Sequence, residues 1–351
     1  MKAEGWFLEA AQKPLVKQAF ELAPGERDAV VAVEACGLCH TDLGFADGSV
    51  APKHALPLVL GHEIVGTVTQ APAGFESLAG RAVIVPAVIP CGDCSYCRAG
   101  RGNICPRQKM PGNDIHGGFA SHVAVPAWAL VPVDDAPAKV DRRSLAVVAD
   151  AVSTAYQALR RSGLAKGDAA FVVGAGGVGG YLVQLARALG ARVIACDVSK
   201  DKLALIAAHG AELTFDVTGR APKEVRKDVH AAAKGWGIAS HAFRIFETSG
   251  TTAGQTLAFT LLAPAATMVQ VGFTPKTVEV RLSNLMAFDA TLHGSWGCPP
   301  ALYPEVLRHI YAGEVALEPF VEQAPMSRLN QALDDMAHHR LTRRLVLDPR
   351  A

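Results

Sequence analysis

The chain has no excess of charge of either sign. Its 351 residues hold 34 Lys and Arg against 33 Asp and Glu. That balance gives no general affinity for nucleic acid or a membrane surface, although a local basic patch could still hold a phosphorylated ligand. Aromatic residues are scarce at 6%, and charged residues make up only 19%. No apolar run approaches the roughly 20 uninterrupted residues of a membrane span. The opening Met1-Lys2-Ala3-Glu4-Gly5-Trp6 lacks the long apolar core of a secretory signal, so a cytoplasmic location is expected. What the chain does have is apolar mass, half of its residues, which is enough to fill large cores and argues against disorder. Its length favours two domains over one.

The texture changes along the chain. Up to about residue 150, short β-branched runs (Ala29–Val33, Ile64–Val68, Val83–Pro86, His122–Val125) alternate with Pro and Gly, the rhythm of a barrel-like β unit with long loops. From about Ser153, strand Ala170–Val173, helix Val178–Leu189, strand Arg192–Cys196, helix Asp201–His209 and strand Leu213–Phe215 follow one another. Such a β-α-β-α-β series implies a parallel sheet covered on both faces. Ala242–Phe246 and Thr267–Val271 extend it, and after about Gly294 the rhythm breaks until a last strand at Leu345–Leu347.

Gly174-Ala175-Gly176-Gly177-Val178-Gly179 follows the strand Phe171-Val172-Val173 and opens a helix. In that context the first glycine makes the turn, the second admits a pyrophosphate, and the third lets helix and strand pack closely. Asp197 closes the next strand where a carboxylate can bind the adenosine ribose, which would repel a 2′-phosphate and favour NAD over NADP. The alternative is a glycine turn with no ligand.

Of eight cysteines, four fall in Cys91-Gly92-Asp93-Cys94-Ser95-Tyr96-Cys97 and Cys105. Two-residue gaps let successive thiolates reach one tetrahedral ion, and four sulfurs close its coordination, which makes this a structural zinc site. A second group, Gly37-Leu38-Cys39-His40-Thr41-Asp42 followed by Gly61-His62-Glu63, offers half of an open catalytic site. On spacing alone, a core Cys and a core His explain that pair as well.

GLCHTD, GHE, the four-cysteine loop and GAGGVG in this order resemble the zinc-dependent medium-chain alcohol dehydrogenases over nearly the whole chain. The resemblance implies a GroES-like catalytic domain (1–151, closing with 295–351) into which a Rossmann doubly wound parallel-sheet domain (152–294) is inserted. It implies NAD and two zinc ions, one catalytic and one structural. Carried over by motif, Cys39 and His62 are catalytic zinc ligands, Glu63 is a carboxylate able to approach the metal, and Asp42 orients His62. The third ligand is often a Cys four residues before a Thr that touches the nicotinamide. Here that Thr is Thr154, and the ligand position holds Asp150, as in members with an acidic ligand. A carboxylate donates less charge than a thiolate and leaves a harder Lewis acid. The resemblance also puts His40 and Arg344 on the pyrophosphate, Lys202 on the ribose, and Val178, Gly272 and Phe273 beside the nicotinamide. Thr41 would take the alcohol proton. The His that passes it on in several members is Gly44 here, so the exit route is unassigned.

The stretches Val85–Cys91 and Gln108–His122 further resemble one branch of that family, the 6-hydroxycyclohex-1-ene-1-carbonyl-CoA dehydrogenases of anaerobic benzoyl-CoA degradation. That branch implies NAD-dependent oxidation of a ring hydroxyl on a CoA thioester, with Arg98, Arg101, Arg107 and Lys109 as candidates to meet the CoA phosphates. The alternative for these stretches is folding around the thiolate loop. Rival functions are a general cyclic secondary-alcohol dehydrogenase or ketone reductase, a zinc-free enone reductase, and a non-catalytic NAD-binding structural protein. A homodimer or homotetramer is the family expectation.

Overall fold

The computed structural model describes all residues, Met1–Ala351. Two compact units are present. One comprises Met1–Ser153, Gly297–Tyr311 and Leu317–Ala351; the other comprises Thr154–Trp296 and the short piece Ala312–Ala316. No helix is long and apolar enough to cross a membrane.

The first unit is built from strands whose burial follows the pleat. In Lys2–Leu8, Lys2 and Glu4 point outward while Ala3, Gly5 and Phe7 are buried. This strand pairs antiparallel with Val16–Glu21 and Leu58–Val59 to make a three-stranded sheet. A seven-stranded sheet runs Val321–Pro325, Arg344–Asp348, Asp28–Gly37, Glu63–Gln70, Ala82–Val85 and Val131–Pro132, with His122–Pro126 also paired to Asp28–Gly37. The central strand is almost wholly buried, so its one charged interior residue needs partners. Glu34 accepts from Thr67 Oγ1 at 2.6 Å and pairs with Arg142 at 2.9 Å. Val31, Val33, Ile64, Phe119 and Leu345 belong to the core beneath. The barrel-like β texture expected from the sequence is there. The strand Val16–Glu21 was not expected, because it is largely exposed and carries no apolar alternation.

The second unit holds a six-stranded sheet in the order Leu213–Asp216, Arg192–Asp197, Ala169–Val173, Phe243–Glu247, Thr267–Gln270, Thr291–Gly294, every pair parallel. In sequence terms this order is 3-2-1-4-5-6, with the topological switch between Ala169–Val173 and Phe243–Glu247, where a crevice forms outside the strand ends. All five residues of Ala169–Val173 are buried, as a strand covered on both faces requires. The helix Pro222–Gly235 is an addition to the expected series. Pro222 opens it and Glu224 accepts from Ala221 N at 3.3 Å, but its buried face is only Val225, Val229 and Ala233 within a charged segment.

Candidate metal centres and dinucleotide-binding loops

The four-cysteine loop folds back on itself. Cys94 stands at the N-cap position of the short helix Ser95–Arg98, Gly92 and Gly100 take positive φ (84° and 71°), and a turn at Gly102–Ile104 returns Cys105 to Cys91. The Sγ–Sγ separations are 3.4 Å for Cys94–Cys97 and Cys91–Cys105, 3.6 Å for Cys94–Cys105 and 3.8 Å for Cys91–Cys97. None is a disulfide. A tetrahedron of ~2.3 Å zinc–sulfur bonds has edges of about 3.8 Å, so the four sulfurs fit such an ion. The backbone N–H groups of Cys91 and Arg107 donate to Cys105 Sγ at 3.4 and 3.3 Å, as they would to a thiolate. Hydrogen bonding from the Cys97 backbone, ahead of the neighbouring thiols, draws Cys94 down to about 6. Asp93 holds two of the four basic residues: Arg98 donates to its carbonyl and Arg107 to its carboxylate.

The second cluster assembles from three separated segments of the first unit. Cys39 is the N-cap of the helix His40–Asp47, His62 and Glu63 stand at the start of Glu63–Gln70, and Asp150 precedes the helix Ala151–Ser162. One ligand atom from each of Cys39, His62, Glu63 and Asp150 lies within 4.8 Å of the others. Asp150 Oδ2 is 3.6 Å from His62 Nε2 and 3.8 Å from Cys39 Sγ, and Cys39 Sγ is 3.7 Å from Thr41 Oγ1. Asp42, fully buried, accepts from Cys39 N at 2.9 Å and Gly61 N at 3.0 Å, and its carboxylate lies 3.5 Å from His62 Nδ1. Tyr303 donates to the Ala149 carbonyl and accepts from Ser153 Oγ, which also reaches the Asp150 carbonyl, so the turn carrying Asp150 is braced.

Both ring nitrogens of His62 and both carboxylate oxygens of Glu63 are buried without a hydrogen bond of good geometry; they have only the longer charged contacts to Asp42, Asp150 and Arg344. A cation at the centre of the cluster would satisfy donors of just this N, O and S chemistry, so the residues fit zinc. Burial alone would lower the His62 pKa, but the Asp42 charge, together with Asp150, carries it well above the ordinary value. Burial raises Glu63 to about 7 against the opposing charge of Arg344, whose Nη1 lies 3.3 Å from Glu63 Oε1 and donates to the Leu38 carbonyl at 3.2 Å. That Glu63–Arg344 pair is absent from the sequence reading, which puts Arg344 on a pyrophosphate. His40 is exposed at the start of its helix, and the position of Gly44 faces Ser49 and Val50.

In the second unit the glycine-rich turn has the expected form. Gly174 takes φ +98°, and a Cβ there would meet Ser249 N at 2.6 Å. A Cβ on Gly179 would lie 1.8 Å from the Gly174 carbonyl oxygen, so that position admits no side chain. Around Gly176 there is open space, and no side chain caps the helix Gly177–Ala188. Uncapped N–H groups beside an open backbone make an anion cradle, which fits a pyrophosphate. Asp197 Oδ2 accepts from Ala175 N at 2.7 Å and Oδ1 from Ser199 N at 2.8 Å, so the residue also fixes the turn. Val178 and Lys202 are half-buried, Thr154 is buried near the start of its helix, and Phe273 is two-thirds exposed after Gly272.

Two family models match: the alcohol dehydrogenase GroES-like domain over residues 25–135 and the zinc-binding dehydrogenase over 177–312. An alcohol dehydrogenase of Geobacillus stearothermophilus is 30% identical over 97% of this chain and 98% of its own. An NAD-dependent alcohol dehydrogenase of Sulfolobus acidocaldarius is 29% identical over 92% of each. The crystal structure of the alcohol dehydrogenase from Aeropyrum pernix superposes with a TM-score of 0.86 at 28% identity, covering 99% of this chain and all of that one. The chain belongs to the zinc-dependent medium-chain alcohol dehydrogenases, with their GroES-like domain and inserted Rossmann sheet. It is a zinc- and NAD(P)-linked oxidoreductase acting on CH–OH groups of small molecules, and the non-catalytic alternative falls.

Proposed function

We propose that the chain oxidises a ring secondary alcohol with NAD. The observation that carries the chemistry is the cluster of Cys39, His62 and Asp150, with Glu63 able to serve as a fourth donor and with His62 Nε2 left without a hydrogen bond. When bound, zinc supplies the Lewis acidity that makes an alcohol hydroxyl acidic, and NAD supplies the hydride acceptor. Thr41, half-buried and with its Oγ1 3.7 Å from Cys39 Sγ, relays the proton: it accepts the alcohol's and releases its own hydroxyl proton to water. Asp42 orients His62. Asp197 and Lys202 hold the adenosine ribose, and a carboxylate at that point favours NAD over its phosphorylated form. Gly174, Gly176, Gly177 and Gly179 cradle the pyrophosphate, while Thr154, Val178, Gly272 and Phe273 line the nicotinamide; for His40 and Arg344 a pyrophosphate contact is supported by the family resemblance alone. Cys91, Cys94, Cys97 and Cys105 hold the second, structural zinc.

The substrate in this reading is the CoA thioester of a 6-hydroxycyclohexene carboxylate, oxidised to the 6-oxo product. It is supported by the stretches on either side of the thiolate loop. Packing accounts for part of the second stretch: Gly117, Gly118 and Phe119 donate to the carbonyls of Val59, Gly61 and Leu60 at 2.8–2.9 Å. With Arg98 and Arg107 engaged by Asp93, Arg101 and Lys109 are the basic residues left to meet a phosphate. Comparing kcat/KM for the CoA ester with that for the free cyclic alcohol tests this directly. A preference for the ester of at least ~100-fold, about 2.7 kcal/mol, is expected, and equal values would return the assignment to a general cyclic-alcohol dehydrogenase. A cytoplasmic location is supported by eight unpaired cysteines. A homodimer or homotetramer is supported by the sheet-edge strand Thr291–Gly294, whose Leu292 is exposed along with nearby Leu282 and Met286.

A further inference from the structure

Glu247 ends the strand Phe243–Glu247 at the sheet's switch point, and it is fully buried. A buried carboxylate persists only when its oxygens are met. Here Oε1 accepts from Ser249 N at 2.8 Å, from Ser249 Oγ, and from Gly250 N at 3.2 Å. Oε2 accepts from Gln270 Nε2 at 2.7 Å. The same Gln270 amide donates its other hydrogen to the Gly272 carbonyl at 2.7 Å, and the Glu247 carbonyl accepts from Val271 N and Gly272 N at 3.0 and 2.9 Å.

Glycines close around this carboxylate. A Cβ on Gly272 would lie 2.5 Å from Glu247 Oε2 and 2.3 Å from Gly250 N, and one on Gly254 would lie 3.0 Å from Oε1. Gly250 takes φ +65°, and its missing Cβ would stand 2.8 Å from the Phe273 carbonyl oxygen. Two loops that follow different strands are therefore pressed together, backbone against backbone, with one negative charge between them. The glycine-rich turn is fastened separately: Thr248 Oγ1 donates to the Gly174 carbonyl at 2.7 Å, Gly174 N donates to the Cys196 carbonyl at 2.8 Å, and Asp197 holds Ala175.

We propose that Glu247 is the positioning residue of the nicotinamide half of the dinucleotide site: its carboxylate locks the loop Thr248–Gly250 to the loop Val271–Phe273 and so sets the backbone of Gly272 and Phe273. This rests on the reading that those two residues line the nicotinamide. Charge-assisted bonds to backbone N–H groups are stronger than neutral ones. In Glu247→Gln the shape is kept, but an amide N–H₂ must face either the N–H groups of Ser249 and Gly250 or the Gln270 amide, donor against donor. The loops then lose their fixed register while the pyrophosphate turn keeps its own ties.

The test is calorimetric titration of wild type and Glu247→Gln with NADH and with ADP-ribose, which lacks the nicotinamide ring. The NADH dissociation constant should rise by about 10-fold while that for ADP-ribose stays within about 2-fold. A purely structural role would weaken both ligands alike or neither, and either result in a folded variant overturns the proposal. If Glu247→Gln does not fold, Gln270→Met decides. It cuts the link from Glu247 to the Gly272 carbonyl at a half-buried position, and the same split between ligands is expected; no split overturns the proposal. A wild type that gains no affinity from the nicotinamide ring would refute the underlying reading of Gly272 and Phe273, and the proposal with it.

Discussion

Asp150→Ala strips the buried cluster of the side chain that faces two of its other donors. Asp150 Oδ2 lies 3.6 Å from His62 Nε2 and 3.8 Å from Cys39 Sγ, so an ion among them loses one donor in four and one negative charge. Four-ligand zinc sites bind with roughly 10–16 kcal/mol, and an equal share per ligand is about 2.5–4 kcal/mol, a ~10²–10³-fold loss of affinity. Dialysis against a chelator should then empty this centre while the four-thiolate loop stays full. Atomic emission should report the loss of one of two zincs, and turnover should fall with it. Asp150→Cys should recover the metal but turn over more slowly, because a thiolate leaves zinc less electrophilic and the bound alcohol less acidic. A side chain that merely capped the helix Ala151–Ser162 would cost only about 1 kcal/mol of stability when removed and would leave both metals in place. Two zincs and near-normal turnover in Asp150→Ala would therefore refute the ligand assignment.

At the thiolate loop, Cys97→Ser should lose one zinc and lower the melting temperature, because binding energy at such a site is also folding energy; unchanged zinc content and melting temperature would count against the site. At the ribose, Asp197→Ala should shift the NAD-to-NADP ratio of kcat/KM by ~10-fold or more towards NADP, a charge-assisted hydrogen bond being worth about 1.5–3 kcal/mol. A constant ratio would move the ribose contact elsewhere. Some loss with both cofactors is expected too, since Asp197 also anchors the backbone of Ala175 and Ser199.

What was legible in the sequence is what lies close together along it. Cys91, Cys94, Cys97 and Cys105 meet because a short loop can fold only so far, and Gly174 to Gly179 share one turn with the strand that feeds it. Cys39, His62 and Asp150 are scattered, and only the family resemblance joined them before the folded chain did. Partners separated by hundreds of residues left no local trace. Glu63 with Arg344, and Tyr303 with the Ala149 carbonyl, are products of the sheet order and of the chain's return to the first unit. Glu247 closes a strand as Asp197 does, but nothing local shows that its charge is buried under two loops. The helix Pro222–Gly235 did carry a start signal, Pro222 with Glu224, and was hidden by the charged residues on its outer face.

The two metal clusters differ in what holds them when empty. Asp42 ties Cys39 N to Gly61 N from inside the core, so the buried donors keep their spacing through the protein's own hydrogen bonds. Metal binding there is expected to be an ordinary binding event that needs no refolding. The thiolate loop has its sulfurs for a core: three of its cysteines are half-exposed, and its sulfurs stand 3.4–3.8 Å apart. Emptied, those thiols have neighbours at hand and air to oxidise them: each sulfenic acid formed condenses with an adjacent thiol to a disulfide, which a reductant reverses, or is oxidised further to a sulfinic acid, from which there is no easy return. Oxidative ageing is therefore expected to begin at the four-thiolate loop, and a thiol reductant in storage should protect the fold before it protects the buried cluster.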